Sequence, residues 1–156
     1  MWQRLRRKVE GVRPTLEGSF LMTAITTPVL SDSTDSLLRF ALRADAAVTG
    51  TIGLAGVFAA RPMAALEGLT VAHEYAVAAF CILYGVVVYF LSALPELRRA
   101  GIGVIAANVA CTVAAVAVVE VGVLPLTGFG VVAMLASAVY TAFFALMQYR
   151  GLRRLG

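Results

Sequence analysis

Four stretches without a charged residue occupy most of the chain beyond residue 45. They run roughly from Ala46 to Ala60, Tyr75 to Pro95, Gly101 to Val119 and Val121 to Tyr149. At a rise of about 1.5 Å per helical residue, each of the last three can cross a hydrocarbon core about 30 Å thick. The composition agrees, since 60% of residues are hydrophobic, 14% are charged and the mean hydropathy is +0.87. The sequence therefore predicts an integral membrane protein.

The predicted fold is all-α, an integral membrane up-down bundle of four transmembrane helices. The predicted spans are residues 37–60, 71–94, 100–124 and 126–148. In the first span, Arg39 and Arg43 can extend their long side chains to the headgroups, and Arg61-Pro62 is expected to end the helix. The short connections at Pro95 and Pro125 force consecutive helices to pack antiparallel.

The basic residues predict the orientation, because Lys and Arg are retained on the cytoplasmic side. Only Arg61 would face outward, and the other twelve basic residues lie before the first span, in the second loop or after the last span. Both termini are therefore expected in the cytoplasm. Lys8 is the only Lys, and the excess of Arg, Ala and Val is typical of a GC-rich bacterial genome, which indicates a multi-pass protein of the bacterial inner membrane.

The chain divides into a cytoplasmic tail (1–35), a four-helix membrane domain (36–149) and a basic tail (150–156). Apolar residues between Trp2 and Val12 recur at helical spacing among basic ones, which fits either an amphipathic helix on anionic lipid or an unstructured tail. No signal-peptide cleavage pattern follows. The codons implied by Glu17-Gly18 resemble a ribosome-binding site, so a translation start at Met22 is the alternative to a start at Met1.

Two polar residues fall within the spans, where such side chains are costly. Asp45 lies near the cytoplasmic end of span one, and its expected role is an ion pair with Arg98 or Arg99. The alternative is a proton or cation ligand. Asn108 is the deepest strongly polar residue, and we expect its amide to bond between helices and fix their register, with lining of a solute path as the alternative.

A second group of polar residues maps to the outer ends of the first three spans. Its members are Arg61, Glu67, His73, Glu74 and Glu120. If these ends converge, His73 would lie between Glu74 and Glu120 in an ionisable cluster. The alternative is ordinary solvation with one Arg–Glu pair. A metal site is not expected, because one His and scattered carboxylates lack a ligand spacing.

Small residues recur on single faces of three spans, which predicts close helix packing within a bundle or an oligomer. The sets are Gly50, Gly53 and Gly56; Gly103, Ala107, Cys111 and Ala115; and Ala133, Ser137, Thr141 and Ala145.

Several functional classes lack their motifs. Cys81 and Cys111 are isolated, so no C-x-x-C pair supports a thiol relay. His73 is the only His, which excludes a haem held by two histidines of one chain. No nucleotide-binding, hydrolase or metalloprotease motif occurs. We therefore expect no catalytic residue, cofactor or metal, and the basic tails fit lipid or an acidic protein surface better than nucleic acid.

The segment LLRFALRADA, from Leu37 to Ala46, resembles a family of small bacterial four-span integral membrane proteins of unassigned function. The resemblance extends loosely to the carboxyl terminus and implies a fold but no activity. The expected function is that of a non-enzymatic accessory or assembly subunit of a larger membrane complex, or of a homo-oligomer. The alternative is a small-solute or proton-coupled transporter with Asp45, Asn108 and Glu120 along its path. A third hypothesis is a membrane enzyme or a quinone-linked protein.

Overall fold

The computed structural model describes residues 34–156, which form four α-helices and no strand. The helices are α1 (Ser36–Glu67), α2 (Val71–Leu91), α3 (Leu97–Val121) and α4 (Gly128–Arg153). Each is long and apolar enough to cross a membrane. The predicted all-helical chain with four spans is thus confirmed, whereas the expectations for the amino-terminal tail and for Met22 lie outside the described residues.

The first helix is longer than expected, and the prediction that Arg61-Pro62 ends it is wrong. Pro62 lies inside α1, which ends at Gly68, whose positive φ of 84° lets its N–H bond the Ala64 carbonyl at 3.0 Å. Burial of Ala60 and Ala64 on either side of Pro62 holds the helix together where the proline removes one N–H donor. The expected loop from 61 to 70 is therefore only three residues, 68–70.

The other boundaries move by a few residues. The second helix ends at Leu91, three residues before the predicted limit of its span, and α3 begins at Leu97 and ends at Val121, where Gly122 adopts a φ of 66°. The last helix continues to Arg153 and so includes most of the predicted basic tail. Short apolar connections between helices made these ends hard to place from composition.

Helix α1 is central to the packing, because it contacts both α2 and α4 along its length. A Cβ added to Gly53 would lie 2.8 Å from the Ala78 carbonyl oxygen on α2, and one added to Gly85 would lie 2.7 Å from the Ala46 carbonyl oxygen on α1. The small-residue face of Gly50, Gly53 and Gly56 is thus a close antiparallel contact, as predicted.

The third helix packs mainly on α4 and scarcely touches α2. Gly103 on α3 has nothing within 4 Å of an added Cβ, so the prediction that its small-residue ladder makes close helix contact is wrong at this position. The bundle consequently has one loosely closed side, between α2 and α3.

Both ends of α1 are fastened to other helices. At one end, Thr127 donates its backbone N–H to the Glu67 carbonyl at 3.0 Å and its hydroxyl to the Leu66 carbonyl, while it caps α4. At the other end, Arg39 bonds the Ser92 carbonyl at 2.8 Å, and Gly151 lies against Leu38. The start of α1, the α2–α3 turn and the end of α4 therefore meet at one end of the bundle, called here the Arg39 end.

Candidate functional site

Asp45 is completely buried in the centre of the bundle. It continues the buried face of α1 that includes Leu38 and Leu42, at the spacing of three to four residues that places side chains on one side of a helix. Arg98 and Arg99 are exposed, and among the described residues Asp45 makes no ion pair. The expected pairing of Asp45 with either arginine is therefore wrong.

One carboxylate oxygen of Asp45, Oδ2, is held by three short hydrogen bonds from three different helices. The Tyr84 hydroxyl donates at 2.8 Å from α2, the Asn108 amide at 2.9 Å from α3 and the Gln148 amide at 2.7 Å from α4. This oxygen is thereby fully occupied as an acceptor. It therefore links α2, α3 and α4 to a single point on α1.

The other oxygen, Oδ1, has longer bonds and hydroxyl partners only. Thr49, one turn along α1, donates at 3.2 Å, and Tyr140 of α4 lies 3.4 Å away. The two hydroxyls also bond each other at 2.9 Å. Oδ1 is therefore the more weakly bound side of the carboxylate.

The buried side-chain amides of Asn108 and Gln148 hold each other in one orientation. Asn108 Nδ2 donates to Gln148 Oε1 at 3.1 Å as well as to Asp45, and both side chains are almost inaccessible to solvent. Reversing either amide would place an oxygen against the carboxylate, so the network specifies both orientations. The expectation that Asn108 bonds between helices is confirmed.

The charge of the site is not balanced by a cation among the described residues. The ion pair formed in that part of the chain joins Arg39 to Asp35 at 2.8 Å, at the Arg39 end. All the donors that reach the carboxylate are neutral, and both of its oxygens accept hydrogen bonds. Because ionisable groups at membrane depth are costly, Asp45 is the candidate functional residue of the bundle.

A cavity of about 440 Å³ lies beside this network. Its walls include Thr49, Tyr84, Asn108 and Tyr140, all of which bond Asp45. The remaining lining is mostly apolar: Ile52, Val77, Phe80, Cys81, Cys111, Ala136, Ser137 and Thr141. Asp45 thus stands behind one wall of an apolar chamber, separated from it by hydroxyl and amide groups.

A second space, of about 310 Å³, is a groove between α2 and α3 on the loosely closed side. Its walls include Leu83, Val87 and Gly103, which are exposed to the surroundings of the bundle. Phe80 and Tyr84 line both the groove and the central cavity. The two spaces therefore share part of the α2 wall.

The remaining predicted site residues lie apart from this centre. Arg61, His73 and Glu120 are exposed at the end opposite Arg39, and among the described residues no ion pair joins them to Glu67 or Glu74. His73 instead bonds the Thr70 hydroxyl through Nδ1 at 2.7 Å.

Within residues 34–156, therefore, neither the charged cluster around His73 nor the Arg–Glu pair is formed. One oxygen of Glu74 is buried without a partner in the described part of the chain. Nor does that part hold a group of three or more His, Cys, Asp or Glu side chains placed to bind a metal ion.

Sequence reasoning missed Tyr84, Tyr140 and Gln148. The positions along the helices gave only a weak signal, because Tyr84 lies 7 residues from the Arg39 end of α2, Asn108 11 from that of α3 and Gln148 5 from that of α4. Polar groups at one level of a bundle are the ones able to bond each other.

Comparison of the chain with protein-family models, with curated proteins and with solved structures finds no match. Function is therefore inferred from the buried carboxylate and the cavity beside it.

Proposed function

We propose that this protein is a non-enzymatic membrane transporter of a small solute, in which Asp45 exchanges its bound proton as the solute moves. The observation that carries the proposal is a wholly buried carboxylate, bonded by neutral donors from every helix, with one oxygen directed toward hydroxyls that line a cavity. Ionisable groups placed in this way mark proton and ion paths in membrane proteins.

Protonation would act on one side of the carboxylate. Oδ2 already accepts three short bonds, so an added proton belongs on Oδ1, which would then donate to Thr49 or Tyr140 instead of accepting from them. The Thr49–Tyr140 bond would have to reorganise in response. A proton at Asp45 therefore changes the hydrogen bonding of the cavity wall.

The same change would reach the whole bundle. Because Asp45 is bonded by side chains of α2, α3 and α4, neutralising its charge weakens three interhelical contacts together. The α2–α3 contact is sparse, so it is the one most easily altered. This arrangement supports coupling between protonation and helix position.

The proposal includes the membrane placement expected from sequence, the bacterial inner membrane with both termini cytoplasmic. In the described residues, the arginines at 39, 43, 98, 99, 150, 153 and 154 lie toward the Arg39 end, whereas Arg61 lies toward the other. The positive-inside rule then assigns the Arg39 end to the cytoplasm.

The test is current recording from proteoliposomes on a solid-supported membrane, with a panel of amines, amino acids, sugars and organic anions at several pH gradients. We expect at least one solute to give a pH-dependent current that Asp45→Asn abolishes. Glu96→Gln is the matched control, because Glu96 is exposed in the α2–α3 turn and its side chain does not cap α3. Currents that still depend on pH in Asp45→Asn would refute the proposal.

Glu120→Gln separates the two carboxylates that sequence placed on the transport path. Glu120 is exposed near the end of α3, so we now expect this variant to retain the current. Loss of the current in Glu120→Gln alone would move the coupling site away from the cavity.

A second candidate is the accessory or assembly subunit of a larger membrane complex. The open groove between α2 and α3, with exposed Gly103 in its wall, favours this role because small residues let another helix approach closely. Purification in mild detergent is the test. A stoichiometric larger partner supports a subunit, whereas a single chain or a homo-oligomer supports the transporter.

A further inference from the structure

We infer that the solute is a lipid-soluble amine with an aromatic or alkyl body, which enters from the bilayer between α2 and α3 and places its ammonium group at Oδ1 of Asp45. This inference rests on the proposed transport function and specifies its substrate class and entry route. It combines the composition of the cavity, the unequal bonding of the two carboxylate oxygens and the position of the groove.

The cavity is suited to a solute that is apolar apart from its charged group. Its volume of about 440 Å³ falls within the range of about 300–1,000 Å³ that is usual for small-molecule sites. Six of its twelve lining residues are aliphatic or aromatic, and most of the surface that the lining presents to the cavity is apolar. The rings of Phe80, Tyr84 and Tyr140 all border it. Aromatic faces attract cations as well as apolar groups. A hydrated sugar would leave most of its hydroxyls without partners there.

The charge of the site selects a cation. Asp45 has no cationic partner among the described residues, so an ammonium would supply the missing positive charge. An anionic solute would instead face the carboxylate inside a region of low dielectric constant, where like charges repel strongly. Arg43 is two residues from Asp45, but it is exposed on the opposite side of α1 and therefore does not offset this repulsion inside the bundle.

The two carboxylate oxygens give the ammonium its position. Oδ2 is occupied by three short bonds, whereas Oδ1 has bonds of 3.2 and 3.4 Å to Thr49 and Tyr140, which both line the cavity. Asp45 itself has no exposed surface, so the ammonium meets the Thr49 and Tyr140 hydroxyls at the cavity wall first. Its three donors can bond both hydroxyl oxygens and, once these hydroxyls turn aside, Oδ1. It would replace two weak bonds without removing the three that hold the bundle.

The groove supplies the entry route. It lies on the exposed surface between α2 and α3, and Phe80 and Tyr84 line both the groove and the cavity, so the two spaces are adjacent along α2. The ring of Phe80 is 55% exposed and lies 6.2 Å from that of Tyr84. Because lipid-soluble amines concentrate in the bilayer, a lateral opening brings them to the cavity without passage through water.

The native cysteines provide a direct assay, since Cys81 and Cys111 both line the cavity. Purified protein in mild detergent is treated with N-ethylmaleimide, and labelling of each thiol is followed by mass spectrometry with increasing 4-phenylbutylamine or 4-phenylbutanol. The two probes have similar bodies and differ in charge. We expect the amine to protect both thiols at a concentration about tenfold lower than the alcohol, because its hydrogen bond to Asp45 is charge-assisted.

Variants identify the carboxylate. In Asp45→Asn the advantage of the amine over the alcohol should disappear, whereas in Glu96→Gln it should remain. If Asp45→Asn does not fold, Thr49→Val removes one hydroxyl from the Oδ1 side and should reduce the advantage. Equal protection by amine and alcohol in the wild-type protein, or an advantage unchanged in Asp45→Asn or Thr49→Val, would overturn the inference.

The entry route has its own variant. Gly103 lines the groove and has open space around an added Cβ, so Gly103→Leu narrows the route without displacing a neighbouring helix. We expect slower onset of protection by the amine with unchanged protection at equilibrium. Unchanged onset would overturn lateral entry.

The outcomes separate this inference from the proposed function. No preferential binding of the amine, together with Asp45-dependent currents for another solute, overturns the substrate class alone. Preferential binding of the amine without any pH-dependent current overturns the transporter and leaves the amine site.

Discussion

The contact between α1 and α2 can be tested with a pair of identical substitutions, Gly53→Ala and Gly103→Ala. Both glycines lie inside helices, so the gain in helix propensity, about 1 kcal/mol for Gly to Ala, is common to the two variants. Their surroundings differ. A Cβ at Gly53 would lie 2.8 Å from both the Ala78 carbonyl oxygen and the Ile82 nitrogen, whereas a Cβ at Gly103 meets nothing within 4 Å.

The expected difference follows from the cost of overpacking. Backbone atoms on α2 cannot rotate away as a side chain can, so the helices must separate, at a cost of about 1–3 kcal/mol. At about 4 °C per kcal/mol for a chain of this size, Gly53→Ala should melt about 4–12 °C below Gly103→Ala.

The assay is loss of helical circular dichroism on heating, in the same detergent for both variants and the wild type. Gly103→Ala is expected to melt at or slightly above the wild-type temperature. Equal melting temperatures for the two variants would show that α1 and α2 do not approach closely at Gly53.

Three further predictions concern topology, the carboxylate and the α1–α4 connection. In a background without the native cysteines, Cys at Glu67 should react with an impermeant thiol reagent added to intact cells and Cys at Glu96 should not; the reverse pattern would invert the topology. Tyr84→Phe should lower the free energy of unfolding by about 1–2 kcal/mol, because it removes a short bond to the carboxylate. Tyr140→Phe should cost less, about 0.5–1 kcal/mol, because it removes a long bond to Oδ1 and a 2.9 Å bond to the neutral hydroxyl of Thr49. Chemical denaturation in mixed micelles measures both, and equal losses would contradict the unequal roles of the two oxygens. Thr127→Val should cost about 1 kcal/mol in the same assay through loss of the α4 cap and the bond to α1, while Thr127→Ser should be nearly neutral.

The sequence predicts the four helices well, because each contains a long uncharged run, but it misplaces the end of α1. The rule that a proline disfavours helix at the preceding residue is correct for an isolated chain. In the folded protein, Ala60 and Ala64 are buried on the same side and hold the helix through Pro62. Tertiary packing therefore overrides the local preference.

Asp45 shows what the sequence could and could not reveal about the site. Its neighbour Arg43 suggested an interfacial position, yet residues two apart on a helix lie about 200° apart around its axis. Arg43 is exposed and Asp45 is buried, as that angle requires. The helical spacing from Leu38 and Leu42 could have placed Asp45 inside. Its partners on other helices depend on how the helices are rotated, which no single sequence pattern determines.

The network around Asp45 also has a consequence for biogenesis. The glycine contacts between α1 and α2 allow the first hairpin to form as soon as both have left the ribosome, but at that stage the carboxylate has only the hydroxyls of Thr49 and Tyr84 as partners. The amides that complete its solvation arrive with α3 and α4. A nascent chain therefore carries an incompletely solvated charge in the lipid until synthesis is finished. Chains truncated before α3 keep that defect, because the amides of Asn108 and Gln148 never reach the carboxylate.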